Sequence, residues 1–126
     1  MKKNYIVISG GFDPIHSGHI KLIQDASKVA NVIAIVNNNN FLIKKKGFIF
    51  LDQNERLRIL SSIKGVDETF LSIDEDHTVN QSIQKLLDIG KNIKYFGNGG
   101  DRKLIEDIPE GDLCQKNNIE LVFDLG

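Results

Sequence analysis

Tyr5-Ile6-Val7-Ile8-Ser9-Gly10-Gly11-Phe12-Asp13-Pro14-Ile15-His16-Ser17-Gly18-His19 is the stretch that decides the fold. Tyr5–Ser9 is apolar at successive positions rather than alternating, as in a strand covered on both faces of a parallel sheet. Gly10 and Gly11 let the backbone turn tightly after that strand and approach a ligand closely. Pro14 fixes the loop and cannot extend a strand ladder. If a helix starts near Ser17, His16 and His19 fall three apart in its first turn and can face one point. The unpaired N–H groups and positive dipole end there favour a phosphate, and Gly18 leaves room beside the helix. Outside this setting, two histidines spaced this way are simply surface residues at a helix start.

Working outward, four more strand-like runs follow: Val32–Asn37, Glu68–Ile73, Ile93–Phe96 and Glu120–Asp124. Helical patterns separate them. Leu22, Ile23, Ala26, Val29 and Ala30 recur at helical spacing, and Leu57, Ile59, Leu60 and Ile63 do so after Asp52. Thr78 with Gln81 three residues later predicts a capping box before Ile83, Leu86 and Leu87, and Gly90 stands where that helix should end. Strand alternating with helix predicts one α/β domain over 1–126, a doubly wound Rossmann-like fold on a five-stranded parallel sheet. Ligands of such folds bind beyond the carboxyl ends of the strands. The unusual residues follow strand ends: Gly10–His19, Asn37–Lys46 and Gly97–Arg102.

Composition narrows the function classes. The 16 Lys and Arg against 17 Asp and Glu leave a net charge of -1, which argues against nucleic-acid binding through a broad basic face. No early apolar run is long enough for a signal or membrane segment. Cys114 is the one cysteine, so it forms no internal disulfide and reads as a buried small hydrophobe. A cytoplasmic setting is expected.

Three further groups carry candidate chemistry. Lys44, Lys45 and Lys46 beside Gly47 are either a solvated face or a flexible lid over polyphosphate, with Lys44 and Lys46 the chosen pair. Arg56 is either a surface cation near Asp52 or Glu55, or a bidentate clamp for a second substrate's phosphate. The Gly97-Asn98-Gly99-Gly100-Asp101 loop is either a plain turn or a place where an acid meets ribose hydroxyls. Asp74, Glu75, Asp76 and His77 read as a solvated loop without metal-ligand spacing. A dinucleotide-dependent oxidoreductase would need G-x-G-x-x-G after the first strand, where histidines stand instead.

The first segment resembles the H-x-G-H signature of the cytidylyltransferase-like nucleotidyltransferase superfamily, which carries G-x-F-D-x-x-H-x-G-H at this place. The resemblance extends through Val36–Phe41, the lysine loop, Glu55-Arg56, Lys64 and the G-G-D element at Gly99-Gly100-Asp101. It implies that Gly10, Gly11, Phe12, Asp13, His16, Gly18, His19, Asn39, Lys44, Lys46, Gly97, Gly99, Gly100 and Asp101 meet the nucleotide. His16, His19 and Lys46 would be catalytic, and Arg56 and Lys64 would take the acceptor. Asn39 departs from the acid common in the family. The implied reaction is nucleotidyl transfer to a small phosphorylated polyol or sugar, with release of pyrophosphate. CTP is favoured and ATP with a heptose phosphate is the alternative; a catalytically silent nucleotide-binding module is disfavoured by the two histidines. Magnesium would arrive with the triphosphate. The family's Ser/Thr-rich segment after the last strand has no counterpart before Gly126. The expectation is therefore uncovered apolar surface near that strand, in a truncated chain or one covered by a second subunit as a homodimer.

Overall fold

The computed structural model describes residues 3–99 and 108–126. Five parallel strands, β1 (Tyr5–Gly10), β2 (Asn31–Val36), β3 (Val66–Leu71), β4 (Ile93–Gly99) and β5 (Glu120–Leu125), lie in the order β3-β2-β1-β4-β5. Among the described residues five helices connect or flank them: α1 (Ser17–Ser27), α2 (Asn39–Lys46), α3 (Gln53–Ser61), α4 (Asn80–Asp88) and α5 (Gly111–Lys116). The expected doubly wound parallel sheet is present.

The unbroken apolar runs have their physical cause in two cores. Tyr5 and Val7 of β1 join Ile33, Ile35, Ile83, Leu86 and Cys114 on the α4–α5 face. Ile6 and Ile8 point the other way, with Val32, Ala34, Ile23, Ala26 and Leu60 on the α1–α3 face. Side chains alternate across a strand, so a strand buried on both sides must be apolar throughout. Cys114 is fully buried, and burial, with Glu110 adding to it, pushes its thiol up to about 12. It is inert packing, as its surroundings require.

Three local expectations change. The lysine run is not a loop but the last turn of α2, which starts at Asn38 and stops at Gly47, where φ is 83°. Its weak apolar pattern, with Leu42 alone buried, hid the helix. The N-cap of α4 is Val79 rather than Thr78, whose hydroxyl still accepts the Asn80 N–H (3.2 Å), while Asp74 reaches forward and accepts the N–H groups of Gln81 (2.6 Å) and Ser82 (3.2 Å). Gly90, at φ 96°, does follow the end of that helix as expected. The last strand is not left bare on the α1 side: Leu125 is buried, Val122 packs into the same cluster, and α1 lies against β5. Among the described residues the large exposed apolar side chains stand elsewhere, at Ile20, Val29, Ile43, Phe48, Phe50, Ile73 and Ile89.

Candidate active site

The chain runs outward through β2 and β3 on one side of β1 and through β4 and β5 on the other. The carboxyl ends of β1 and β4 therefore form the switch point at which such sheets open a crevice. A cleft of about 1250 Å³ lies there. Gly10 and Gly11 border it after β1, Asn37 and Asn38 after β2, Asp74 and its neighbours after β3, and Gly97 to Gly99 in β4.

His16 and His19 sit at the start of α1, and each holds the other. The His16 N–H donates to His19 Nδ1 (3.1 Å), while the Gly18 N–H donates to His16 Nδ1 (3.0 Å). His16 is the N-cap, a role filled more often by Ser, Thr, Asp or Asn. A nitrogen that accepts a hydrogen bond carries no proton, so both neutral rings hold theirs on Nε2. The rings stack at 3.9 Å, with Phe12 edge-on to His19 at 5.0 Å. Burial, then the His16 charge, lowers the pKa of His19. The pair thus presents Nε2–H donors at the positive end of a helix; among the described residues neither Nε2 has a partner. His19 borders the cleft.

Gly18 serves this arrangement rather than leaving space for a ligand. A Cβ there would stand 2.8 Å from His16 Cε1 and push the ring off its cap. Phe12 is likewise not at the cleft: it is 2% exposed, with φ 51°, and its ring lies beneath Gly10 and supports His19. Gly11 borders the cleft and also admits Leu42, which a Cβ would meet at 2.8 Å.

Several expected ligand groups are instead spent on holding the rim together. The Asp13 carboxylate accepts the N–H groups of Phe50 and Leu51, both at 2.7 Å, and pairs with Lys46 Nζ at 3.0 Å. Burial raises its pKa, but the Phe50 N–H, Lys46 and the Leu51 N–H together hold it below the usual carboxylate value. Lys46 also donates to the Asp13 carbonyl (2.8 Å) and lies 5.2 Å from the rings of both Phe48 and Phe50. A lysine so engaged latches the end of α2 to the loop after β1, and it does not border the cleft. Lys44 and Lys45, in the same last turn of α2, border the cleft instead. Lys45 escaped the sequence reading because nothing in a run of three lysines says which faces the site.

Arg56 is not a surface cation, nor does it reach toward an acceptor. It is 1% exposed, and its guanidinium donates to the carbonyls of Leu51 (3.0 Å), Gly11 (2.8 Å) and Asn37 and to Asn39 Oδ1 (2.8 Å). Asn39 is consumed by the same knot, for its amide also accepts the Gln53 N–H and donates to Asp52. Lys64 precedes β3 at the amino end of the sheet, since Val66 pairs with Val32 near the start of β2. That is the end opposite the cleft, so Lys64 is no part of this site.

At β4, Gly97 has a packing reason as well as a place on the cleft. A Cβ there would stand 2.6 Å from Leu125 Cδ1. Asn98 is buried and donates to the Phe96 and Val122 carbonyls, where the pairing of β4 with β5 shifts register. Gly99 borders the cleft, whereas Gly100 and Asp101 lie outside the described residues.

The sequence reading missed the acidic wall. Asp74, Glu75, Asp76 and His77 border the cleft, and so does Glu110 ahead of α5. Glu110 is 3% exposed; its Oε2 accepts the Val79 N–H (2.9 Å), and among the described residues its Oε1 has no partner. Asn37, 7% exposed, also keeps an unpartnered Oδ1. The position of the loop after β3, on the same rim as the histidines, was the available signal.

The histidine pair on a helix start thus stands at the switch point of a 3-2-1-4-5 parallel sheet. Residues 7–113 match the cytidylyltransferase-like family. The chain belongs to that family.

Cytidylyltransferase-like proteins are nucleotidyltransferases. The chain is 28% identical over 102 residues to an FAD synthase of Thermoplasma acidophilum, covering 79% of this chain and 72% of that one. It is 32% identical over 76 residues to an FAD synthase of Ferroglobus placidus, covering 60% of this chain and 49% of that protein. The bifunctional protein HldE of Desulfatibacillum aliphaticivorans matches at 27% identity over 65% of this chain and 17% of its own length. The chain thus spans only about half the length of the Ferroglobus placidus relative. Its fold is shared with a lipopolysaccharide core biosynthesis protein from Thermoplasma volcanium, at a TM-score of 0.74 and 21% identity, covering 97% and 96% of the two chains. Among the described residues no helix is long and apolar enough to cross a membrane.

Proposed function

We propose that this chain transfers a nucleotidyl group from a nucleoside triphosphate to the phosphate of a small molecule. An acceptor phosphate oxygen attacks the α-phosphorus, the bond to the bridging oxygen breaks, and pyrophosphate leaves with the electron pair. Such a reaction needs no protein nucleophile; positioning and charge stabilisation supply the catalysis. The observation that carries the reading is the mutual capping of His16 and His19, which commits both Nδ1 atoms and leaves two Nε2–H donors for phosphate oxygens. Lys44 and Lys45 would neutralise the β- and γ-phosphates from the far wall of the cleft. Asp101 is proposed for the ribose from the resemblance alone.

Magnesium fits this reading as a passenger of the triphosphate. Among the described residues no group of three His, Cys, Asp or Glu could hold a metal, and the carboxylates of Asp13 and Asp74 are taken by N–H donors. Magnesium is commonly held by substrate phosphates with few protein ligands, and bound there it offsets their charge.

ATP is the donor favoured by the relatives' names, because FAD is made by joining an adenylyl group to a flavin phosphate. CTP with a small phosphorylated polyol or sugar is the second reading, favoured by the form of the Gly10–His19 motif. The test is pyrophosphate release measured across the four nucleoside triphosphates, each against flavin mononucleotide, glycerol 3-phosphate and a set of sugar phosphates. Release dependent on one triphosphate and one phosphorylated acceptor is expected. Its absence with every pair would sink the proposal.

A further inference from the structure

We infer that Glu110 reads the nucleoside of the bound triphosphate, accepting a hydrogen bond from a ribose hydroxyl or an exocyclic amine through its unpaired Oε1. The inference rests on the nucleotidyl-transfer reading and names a specificity residue for it. Three observations carry it. Glu110 is 3% exposed and borders the cleft, its Oε2 is fixed by the Val79 N–H, and its Oε1 is buried without a partner among the described residues. Burying an acceptor this way is unfavourable until a donor meets it, and buried polar atoms left unpaired in a folded protein call for an explanation.

The contrast with its neighbours sharpens the assignment. Asp74 borders the same cleft, but the first turn of α4 occupies both its oxygens. Asn37 also keeps an unpartnered oxygen, yet an amide turned end for end presents its nitrogen instead. A carboxylate has no such freedom; either oxygen can only accept while it is ionised.

Charge says which part of the ligand it meets. A carboxylate placed against a triphosphate would repel it, so Glu110 must face the part that bears donors. In the nucleotidyl-transfer reading the histidines, of which His19 borders the cleft, mark the phosphates after β1, and Lys44 and Lys45 lie on α2, past β2. Glu110 lies on the other side of β1, ahead of α5 and after β4. A nucleotide with its α-phosphate at the histidines and its terminal phosphates toward the lysines puts its nucleoside over β4, within the domain of Glu110.

Glu110→Gln tests this, because Gln keeps an oxygen for the Val79 N–H and turns the other acceptor into a donor. Calorimetry would measure binding of ATP and CTP to both proteins, and then of analogues of the tighter one: the 2′-deoxy and 3′-deoxy forms and the counterpart lacking the amine (ITP or UTP). Glu110→Gln should weaken the parent triphosphate by about 10- to 100-fold. One analogue should lose a similar factor with the wild-type chain and nothing further with the variant, which identifies the donor. Binding by the variant within about twofold of wild type would overturn the inference, including the case where Glu110 serves the acceptor. Weakening of the variant with no analogue coupled to it would also overturn it, as a structural effect. Should the variant fail to fold, the wild-type series decides: equal binding of all analogues means no donor is read. A wild-type chain that binds neither triphosphate would fail the nucleotidyl-transfer reading itself.

Discussion

A histidine that accepts a backbone N–H through Nδ1 cannot take a proton there without losing that bond. His19 holds the N–H of His16 in this way, so its protonation state and the start of α1 are coupled. Burial and the His16 charge lower its pKa from the ordinary 6.5. As pH falls, the unfolded chain therefore binds the proton first. The stabilisation tied to neutral His19 is complete above 6.5 and is lost as pH drops from there through the lower folded value. Melting temperatures between about pH 8 and about pH 5 should fall more steeply for the wild type than for His19→Asn, which lacks the titrating ring. Parallel curves would show that the ring is not coupled to the helix start. The two histidines and the Gly-Gly turn were legible in the sequence because strand, turn and helix start are local. The two hydrogen bonds between the rings and the backbone were not, since the same spacing also describes two unengaged surface histidines.

At the scale of elements, the polar residues beside the cleft divide into those that hold the rim and those that face the ligand. Arg56 belongs to the first group. Its hydrogen bonds join α3 to the loop after β1, through the Gly11 carbonyl, and to the end of β2, through that of Asn37. Removing a buried guanidinium leaves these acceptors without donors, and hydrogen bonds to charged groups are among the stronger ones. Arg56→Ala should cost about 3 kcal/mol or more in urea denaturation and disturb both substrates together. A loss below about 1 kcal/mol with a raised KM for the acceptor alone would restore the clamp reading of this residue. The same division limits what the sequence could tell. Lys46 finds Asp13 thirty-three positions away, and Asp74 caps a helix that Thr78 was expected to start. A charge in a list of residues carries no record of its partner, so groups spent on structure look identical to groups kept for a ligand. Two helices were missed as elements: α2, for want of an apolar face, and the six-residue α5, too short to show a helical period.

Across the whole molecule, one consequence of topology organises the rest. With β1 central and the chain wound outward on both sides of it, the loop after β1 is the place where both halves of the sheet can contribute to one ligand. Cations border the cleft from the β2 side on α2, and Glu110 from the β4 side. The doubly wound fold was legible because strand runs alternate with helical patterns and the central strands β1 and β2 are apolar on both faces. The sidedness of the cleft was not, because it depends on which residues follow which strand end in space. The account stands on His16 acting through Nε2 while its Nδ1 holds the helix, and His16→Asn separates these duties. Asparagine is among the best N-cap residues and offers no imidazole. The account predicts that this variant melts within a few degrees of wild type and releases pyrophosphate about 100-fold more slowly. Turnover within about threefold of wild type, in a variant that remains folded, would contradict it.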